Sequence, residues 1–425
     1  MKPRYLPQFL SYIKRVYKFC NIVDKITDER HSPQIPPAHI FLSVFLMFIM
    51  RQPSFNHFSL KLKSRSLKRL IGSTRKQVSS ADTLAYSLDR FQIDPLWRGL
   101  AFINKTLKRN KVFKGSVGNL VAASLDLTEL FKSRSRCCKE CLQRTITLKN
   151  KDGTKEKVKE FYHTAVQAQI LGTFPHSIIG SSLQKRGEDE VSCASSLIDD
   201  ISKYYGKRFV DLWVLDSAYC EAPFIKKILS LNSNVLVILK DERRDLFKDA
   251  QGLFSHMPPT LSGKEDMGRT TYKIWDEDDF TSWESLDRPI RVIKVEETQR
   301  KIKILKGKPT PSVENRSFFA VCTLPKERLS SKAARRLIHR RWEIENNGHR
   351  ELKTNYHIDH PFRHSPKAII ALLLILAIAF NLFYAFLYRN LKTFLTEDIT
   401  ARHVAEQICA EILLEGIYIT LWKGG

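Results

Sequence analysis

Three carboxylates carry the chemistry that the spacing of this chain allows. Asp126 closes the apolar run Val121 to Asp126, within Val-Ala-Ala-Ser-Leu-Asp-Leu-Thr, and Asp216 closes Asp211 to Asp216, within Asp-Leu-Trp-Val-Leu-Asp-Ser-Ala-Tyr. Each run reads as a buried strand that delivers an acid where apolar residues meet polar ones. Glu345 lies in Arg341-Trp342-Glu343-Ile344-Glu345-Asn346-Asn347-Gly348-His349-Arg350-Glu351-Leu352-Lys353, which reads as a helix carrying an acid between cations. Carboxylate oxygens are hard ligands that suit magnesium or manganese. Three of them can hold two divalent ions for phosphoryl transfer on nucleic acid, one ion acidifying the attacking hydroxyl and the other steadying the leaving oxygen. Singly, each acid is an ordinary strand-end carboxylate or helix cap; the set points to a metal site.

On the late helix, Arg341, Glu345, His349 and Lys353 follow one another at four-residue intervals, which places all four on one α-helical face. An Arg341/Glu345 ion pair explains two of them, and cations that grip phosphates explain the set. Glu343 and Glu351 are rival acids on other faces. Leu337, Ile344 and Leu352 form an apolar stripe, with Glu345 beside it and Glu343 further away.

The elements that must position these groups sit in a strongly basic chain. Seventy Lys and Arg against 45 Asp and Glu give a net charge of +25, which favours a polyanionic partner and salt-dependent binding. Residues 1–115 read as an all-helical DNA-binding domain, with an apolar run at Ile40 to Met50 and a helix start at Ser79-Ser80-Ala81-Asp82-Thr83. Lys61, Lys63 and Arg65 lie on a basic stretch able to meet phosphates. Residues 116–240 alternate apolar runs (Val121 to Leu127, Phe161 to Leu171, Phe209 to Leu215, Val235 to Leu239) with helical segments such as Ala194 to Tyr204, the pattern of an α/β core. Residues 241–316 read as a β-rich insertion, with runs at Tyr272 to Trp275, Ile290 to Glu296 and Lys301 to Leu305. Residues 317–390 return to the core with a strand at Phe318 to Leu324 and a long helix from Ser330 or Ser331. Residues 391–425 read as a C-terminal helical tail.

Several other classes find little support. No Gly-x-x-x-x-Gly-Lys-Ser/Thr loop is present, so no nucleotide cofactor is expected. The N-terminus lacks the apolar run of a secretory signal and the eight cysteines are irregularly spaced, which points to a reducing, cytoplasmic setting. Cys137, Cys138 and Cys141 cluster with zinc-compatible spacing, yet no second Cys/His pair follows at a finger-like distance. Ala368 to Leu387 is nearly long enough and apolar enough to span a bilayer, the basis of an alternative membrane-anchored reading. Its Asn381 and its place after the acid-bearing helix favour a buried core helix.

The block Arg341-Trp342-Glu343-Ile344-Glu345, followed by Asn346-Asn347-Gly348 and Leu352-Lys353, resembles the Tyr-Arg-Glu-Lys block of prokaryotic insertion-sequence transposases with a ribonuclease H-like DDE core. Asp126 and Asp216 match that family's two aspartates in order and context, and the 129 residues from Asp216 to Glu345 resemble the branch with a β-strand insertion. The resemblance spans about residues 50 to 390. It implies a ribonuclease H-like mixed-sheet core behind an N-terminal helical domain, and DNA transposition at terminal inverted repeats using two magnesium or manganese ions and a synaptic homodimer in a nucleoid-associated setting. A related metal-dependent nuclease would share the same core. Carried over, Asp126, Asp216 and Glu345 hold metal, Arg341 and Lys353 contact phosphates, and Trp275 or Trp283 stacks on a flipped base. Two departures stand out: Ile338 occupies the place of the block's tyrosine, and Lys353 lies eight residues after the glutamate where seven is usual.

Overall fold

A computed structural model of the chain describes residues 4–73, 79–113, 119–149, 153–241, 244–305, 308–414 and 421–422. The chain divides into two compact units: Met1–Phe113 with Leu127–Tyr205 and Ile344–Gly425, and Lys114–Asp126 with Gly206–Glu343. Ten strands are present among the described residues: β1 (Ala122–Ser133), β2 (Leu142–Lys149), β3 (Lys155–Ile170), β4 (Ile178–Leu183), β5 (Leu212–Leu215), β6 (Asn234–Leu239), β7 (Leu261–Glu265), β8 (Thr270–Phe280), β9 (Ile290–Leu305) and β10 (Lys308–Cys322). The expected mixed α/β architecture with a helical N-terminal region is what forms. The boundary expected at residue 115 lies outside the described residues.

In the second unit the strand order is β1-β5-β6-β10-β9-β8-β7. The first half of β1, β5 and β6 run parallel, and the strands from β10 onward are antiparallel. The residues of β5 are buried throughout, as are Ala122 to Leu125 of β1, so both read as continuous apolar runs rather than alternating ones. The helix Ser331–Arg340 packs on this sheet through Leu337 and Ile338 and is capped by the Ser330 hydroxyl, which accepts from the Ala333 amide. Its Arg335 is buried between Glu297 of β9 (2.5 Å) and Glu265 of β7 (2.8 Å), and His339 reaches the same Glu297 at 2.8 Å. These ion pairs fix the roll of the helix that leads to Arg341.

In the first unit the helix Pro366–Arg389 is the core. It packs against the helices Pro37–Ile49 and Ile93–Arg109 and against β4, and 89% of its most apolar window is buried by protein. Its apolar surface is thus covered by this unit, the buried-helix outcome. Asn381, fully buried in its middle, satisfies the backbone of β4. Its Oδ1 accepts from the Ile178 amide (2.9 Å) while its Nδ2 donates to the Ile178 carbonyl (2.7 Å) and to Asn104 Oδ1 (3.0 Å). The Asn104 amide in turn donates to the Ile178 carbonyl and the Tyr205 hydroxyl. Polar groups of β4 therefore find their partners in two helices.

Candidate active site

The first two acids come together through strand register. In the parallel pair β1/β5, Ala122 stands opposite Leu212 and Ala123 opposite Trp213. The same offset carried three residues further matches Asp126 with Asp216; Asp216 follows the end of β5, whereas Asp126, expected at a strand end, lies inside β1, which runs on to Ser133. Strands so paired lie about 4.8 Å apart. Both lie an even number of residues from the Ala122/Leu212 pair, so both project from the same face of the sheet. Asp216 follows the last residue of β5 with extended backbone and caps the short turn Ser217–Tyr219, its Oδ1 accepting from the Ser217 amide at 2.6 Å. Strand ends of parallel sheets are where α/β proteins put ligand sites.

Two cations face Asp216: Arg341 Nη2 lies 3.7 Å from Oδ2 and Lys240 Nζ lies 3.7 Å from Oδ1. Partial burial pushes the Asp216 carboxyl up, but the Ser217 amide, Arg341 and Lys240 outweigh it and hold the group below its ordinary value of 3.8. It is a carboxylate at neutral pH. Its contribution to stability is therefore present above 3.8 and is lost as pH falls through the lowered folded value. Replacing Arg341 with Ala should raise that folded value, which carboxyl NMR titration reads directly. An ion pair at this separation contributes about 1 kcal/mol, so strand cleavage should fall roughly fivefold in the same variant, with Arg341→Lys retaining part of it.

The helix carrying Glu345 differs from expectation. The α-helix from Ser331 ends at Arg340, Arg341 and Trp342 form a turn, Ile344–His349 is a π-helical turn, and Arg350–Tyr356 resumes as α-helix. Hydrogen bonds spanning five residues break the four-residue stacking, so Arg341, Glu345, His349 and Lys353 do not share one α-helical face. Glu345 is exposed, Lys353 is half-buried, and His349 is 7% exposed, too enclosed to present its ring to a ligand. Gly348 explains the tight fit: a Cβ there would come within 2.2 Å of Gln169 Oε1 on β3, a side chain that is itself fully buried.

The rival acids have other partners. Glu343 lies 3.9 Å from Arg340. Glu351 accepts from Arg51 (3.2 Å), from Asn355 (2.6 Å) and from the Tyr384 hydroxyl, while Arg51 also covers the Tyr356 ring. Glu351 is thus a packing acid that ties Arg51 to the apolar helix.

Among the other expected site residues, Lys63 and Arg65 are exposed and Lys61 is half-buried. Trp275 does not offer a stacking face: it is 8% exposed, its indole N–H donates to the Met257 carbonyl at 2.9 Å, and Lys294 covers its ring. Its apolar position on β8 turned it inward. Trp283 is half-buried beneath the Arg244 guanidinium. The exposed tryptophan is Trp342, 43% accessible with the Arg316 guanidinium 5.5 Å from its ring centroid. It is a residue that sequence reasoning passed over although it sits beside Arg341. Of the cysteines, Cys137 is exposed, whereas Cys138 and Cys141 turn inward toward a histidine.

The model of the transposase DDE domain family matches residues 148–382, more than half of the chain. Asp216 and Glu345 lie within that stretch and Asp126 lies upstream of it. No curated protein sequence matches the chain. Among solved structures, the chain is similar to a cryo-EM structure of the piggyBac transposase synaptic complex with hairpin DNA, with 11% identity and a TM-score of 0.41 over 96% of this chain and 80% of that one. From the extent of the family match, this chain belongs to the DDE-domain transposases.

Proposed function

We propose that this chain mobilises a prokaryotic insertion sequence by nicking DNA at the element's terminal inverted repeats and joining the freed 3′-hydroxyls to target DNA. The observation that carries the reading is the parallel register of β1 and β5, Ala122 opposite Leu212 and Ala123 opposite Trp213, whose continuation matches Asp126 with Asp216. Glu345, in the segment that resembles the family's third acid, supplies the remaining carboxylate. The donor set is all oxygen, and Asp216 is kept anionic by its neighbours, so these residues fit magnesium or manganese and would not favour a soft metal. Bound there, two such ions would lower the pKa of the attacking hydroxyl and neutralise charge on the scissile phosphate. Arg341 would meet a phosphate of the element's end, with Lys353 close by in sequence, and the exposed Lys63 and Arg65, with Lys61, would follow the DNA backbone. Two copies would hold two ends in a synaptic dimer in the bacterial cytoplasm.

The test is a cleavage and joining assay with purified protein, a duplex carrying the ends that flank its gene, a second duplex as target, and magnesium or manganese against EDTA. Metal-dependent nicks at the 3′ ends and joined product are expected, both lost in Glu345→Ala with end binding retained. Cutting without joining would make the chain a nuclease. Binding without cutting in either metal would remove the proposal.

A further inference from the structure

Besides the three acids, the chain has a further set of metal-binding side chains, all within the first unit. Cys138 and Cys141 sit in the turn between β1 and β2, His163 lies on β3, and His364 lies just before the helix Pro366–Arg389. The Sγ atoms of Cys138 and Cys141 are 3.6 Å apart; His163 Nε2 lies 3.4 Å from the first and 3.3 Å from the second, and His364 Nε2 lies 3.6 Å from Cys141 Sγ. In a tetrahedral zinc site, Zn–S of about 2.3 Å and Zn–N of about 2.0–2.1 Å require S···S near ~3.8 Å and S···N near ~3.5 Å. All four separations fall close to those edges. A single thiol–imidazole hydrogen bond accounts for one such distance, not for four that converge.

The surroundings agree. Both imidazoles turn Nε2 toward sulfur. Phe131 walls the site, its ring centroid 5.5 Å from His163 and 5.2 Å from His364. Cys141 and His163 are essentially inaccessible to solvent. Thiolate and imidazole donors select zinc over the hard ions that suit carboxylates.

We propose that Cys138, Cys141, His163 and His364 bind one structural zinc ion, separate from the carboxylate site. Cys137, exposed next to them, is outside the set. Two thiols lose their protons to solvent as the ion enters. The ion links the β1–β2 turn, β3 and the segment leading into the apolar helix, three stretches whose ligands span residues 138 to 364. It anchors the N-terminal end of that helix independently of any reaction on DNA.

The test is elemental analysis of the full-length protein purified under reducing conditions without chelators. About one zinc per chain is expected, retained in Cys137→Ser and lost in Cys138→Ser and in His364→Asn. Should those variants fail to fold, replacement of the metal in the unaltered protein by cobalt(II) gives an independent readout: thiolate charge-transfer bands with the d–d bands of a tetrahedral ion. X-ray absorption of the zinc protein should show two sulfurs at about 2.3 Å and two nitrogens at about 2.0–2.1 Å. Full-length protein that carries no zinc and gives no tetrahedral cobalt spectrum would overturn the proposal, as would Cys138 and Cys141 found joined in a disulfide.

Discussion

Asp216→Asn should leave the protein folded and bound to DNA yet lower strand cleavage by about 1,000-fold or more. Asparagine keeps an oxygen to accept the Ser217 amide, so the short turn after β5 retains its cap. What it removes is one negative charge. A carboxylate that holds a catalytic metal supplies several kcal/mol of transition-state stabilisation, and each 1.36 kcal/mol is about tenfold in rate. Arg341 and Lys240, each 3.7 Å from that carboxylate, would lose their counter-charge, so affinity for a phosphate backbone should hold or rise slightly. Asp126→Asn should show the same loss, and the double variant should be little worse than either alone, because groups that act as one unit do not add. Cleavage rates under single-turnover conditions, with end binding measured in parallel, test this. Activity within tenfold of the unaltered protein in either variant would take that aspartate out of the site.

Asn381→Leu should destabilise the protein by about 3 kcal/mol, although it makes an apolar helix more apolar. The substitution leaves the Ile178 amide and Asn104 Oδ1 without their partner in a dry interior, and a stranded buried polar group costs about 1–3 kcal/mol. Denaturant unfolding gives the sign. If leucine proved neutral or stabilising, the bonds to β4 would be of no consequence to stability. A segment whose role was to lie in lipid would gain from the change, so the sign also separates the two roles that its composition permits.

How much of this was legible in the sequence depends on how local the cause is. The runs ending at Asp126 and Asp216 were readable because strands buried on both faces leave a largely apolar signature, broken before Asp126 only by the small Ser124. The caps at Ser80 and Ser330 were readable because a hydroxyl bonding an amide three residues on is a local event. β2 was passed over because its alternating exposed residues resemble a polar loop, and β4 because Gly180, Ser181 and Ser182 lack strand character. Its edge is completed from Asn381, 203 residues away, which no window can register. The same distance effect hid His163 and His364 from the cysteine pair. The β-branched runs at Ile290 and Lys301 gave two expected strands where one long β9 forms, since its hairpin with β10 carries pairing through the polar residues between them. On the late helix, a four-residue count assumed uniform α-geometry and failed where the backbone changed its hydrogen-bond period.

That change of period accounts for a discrepancy in counting. A wide turn houses one residue more than an α-turn while the helix on either side keeps its seat: Leu337 and Ile338 on their sheet, Leu352 and Tyr356 in their own core. The interval from Glu345 to Lys353, one longer than the resemblance to the Tyr-Arg-Glu-Lys block implies, runs through that turn. The surplus residue is swallowed as a bulge. A one-residue deletion at the exposed Asn346, short of the enclosed Gly348, is therefore the length change this segment should tolerate best.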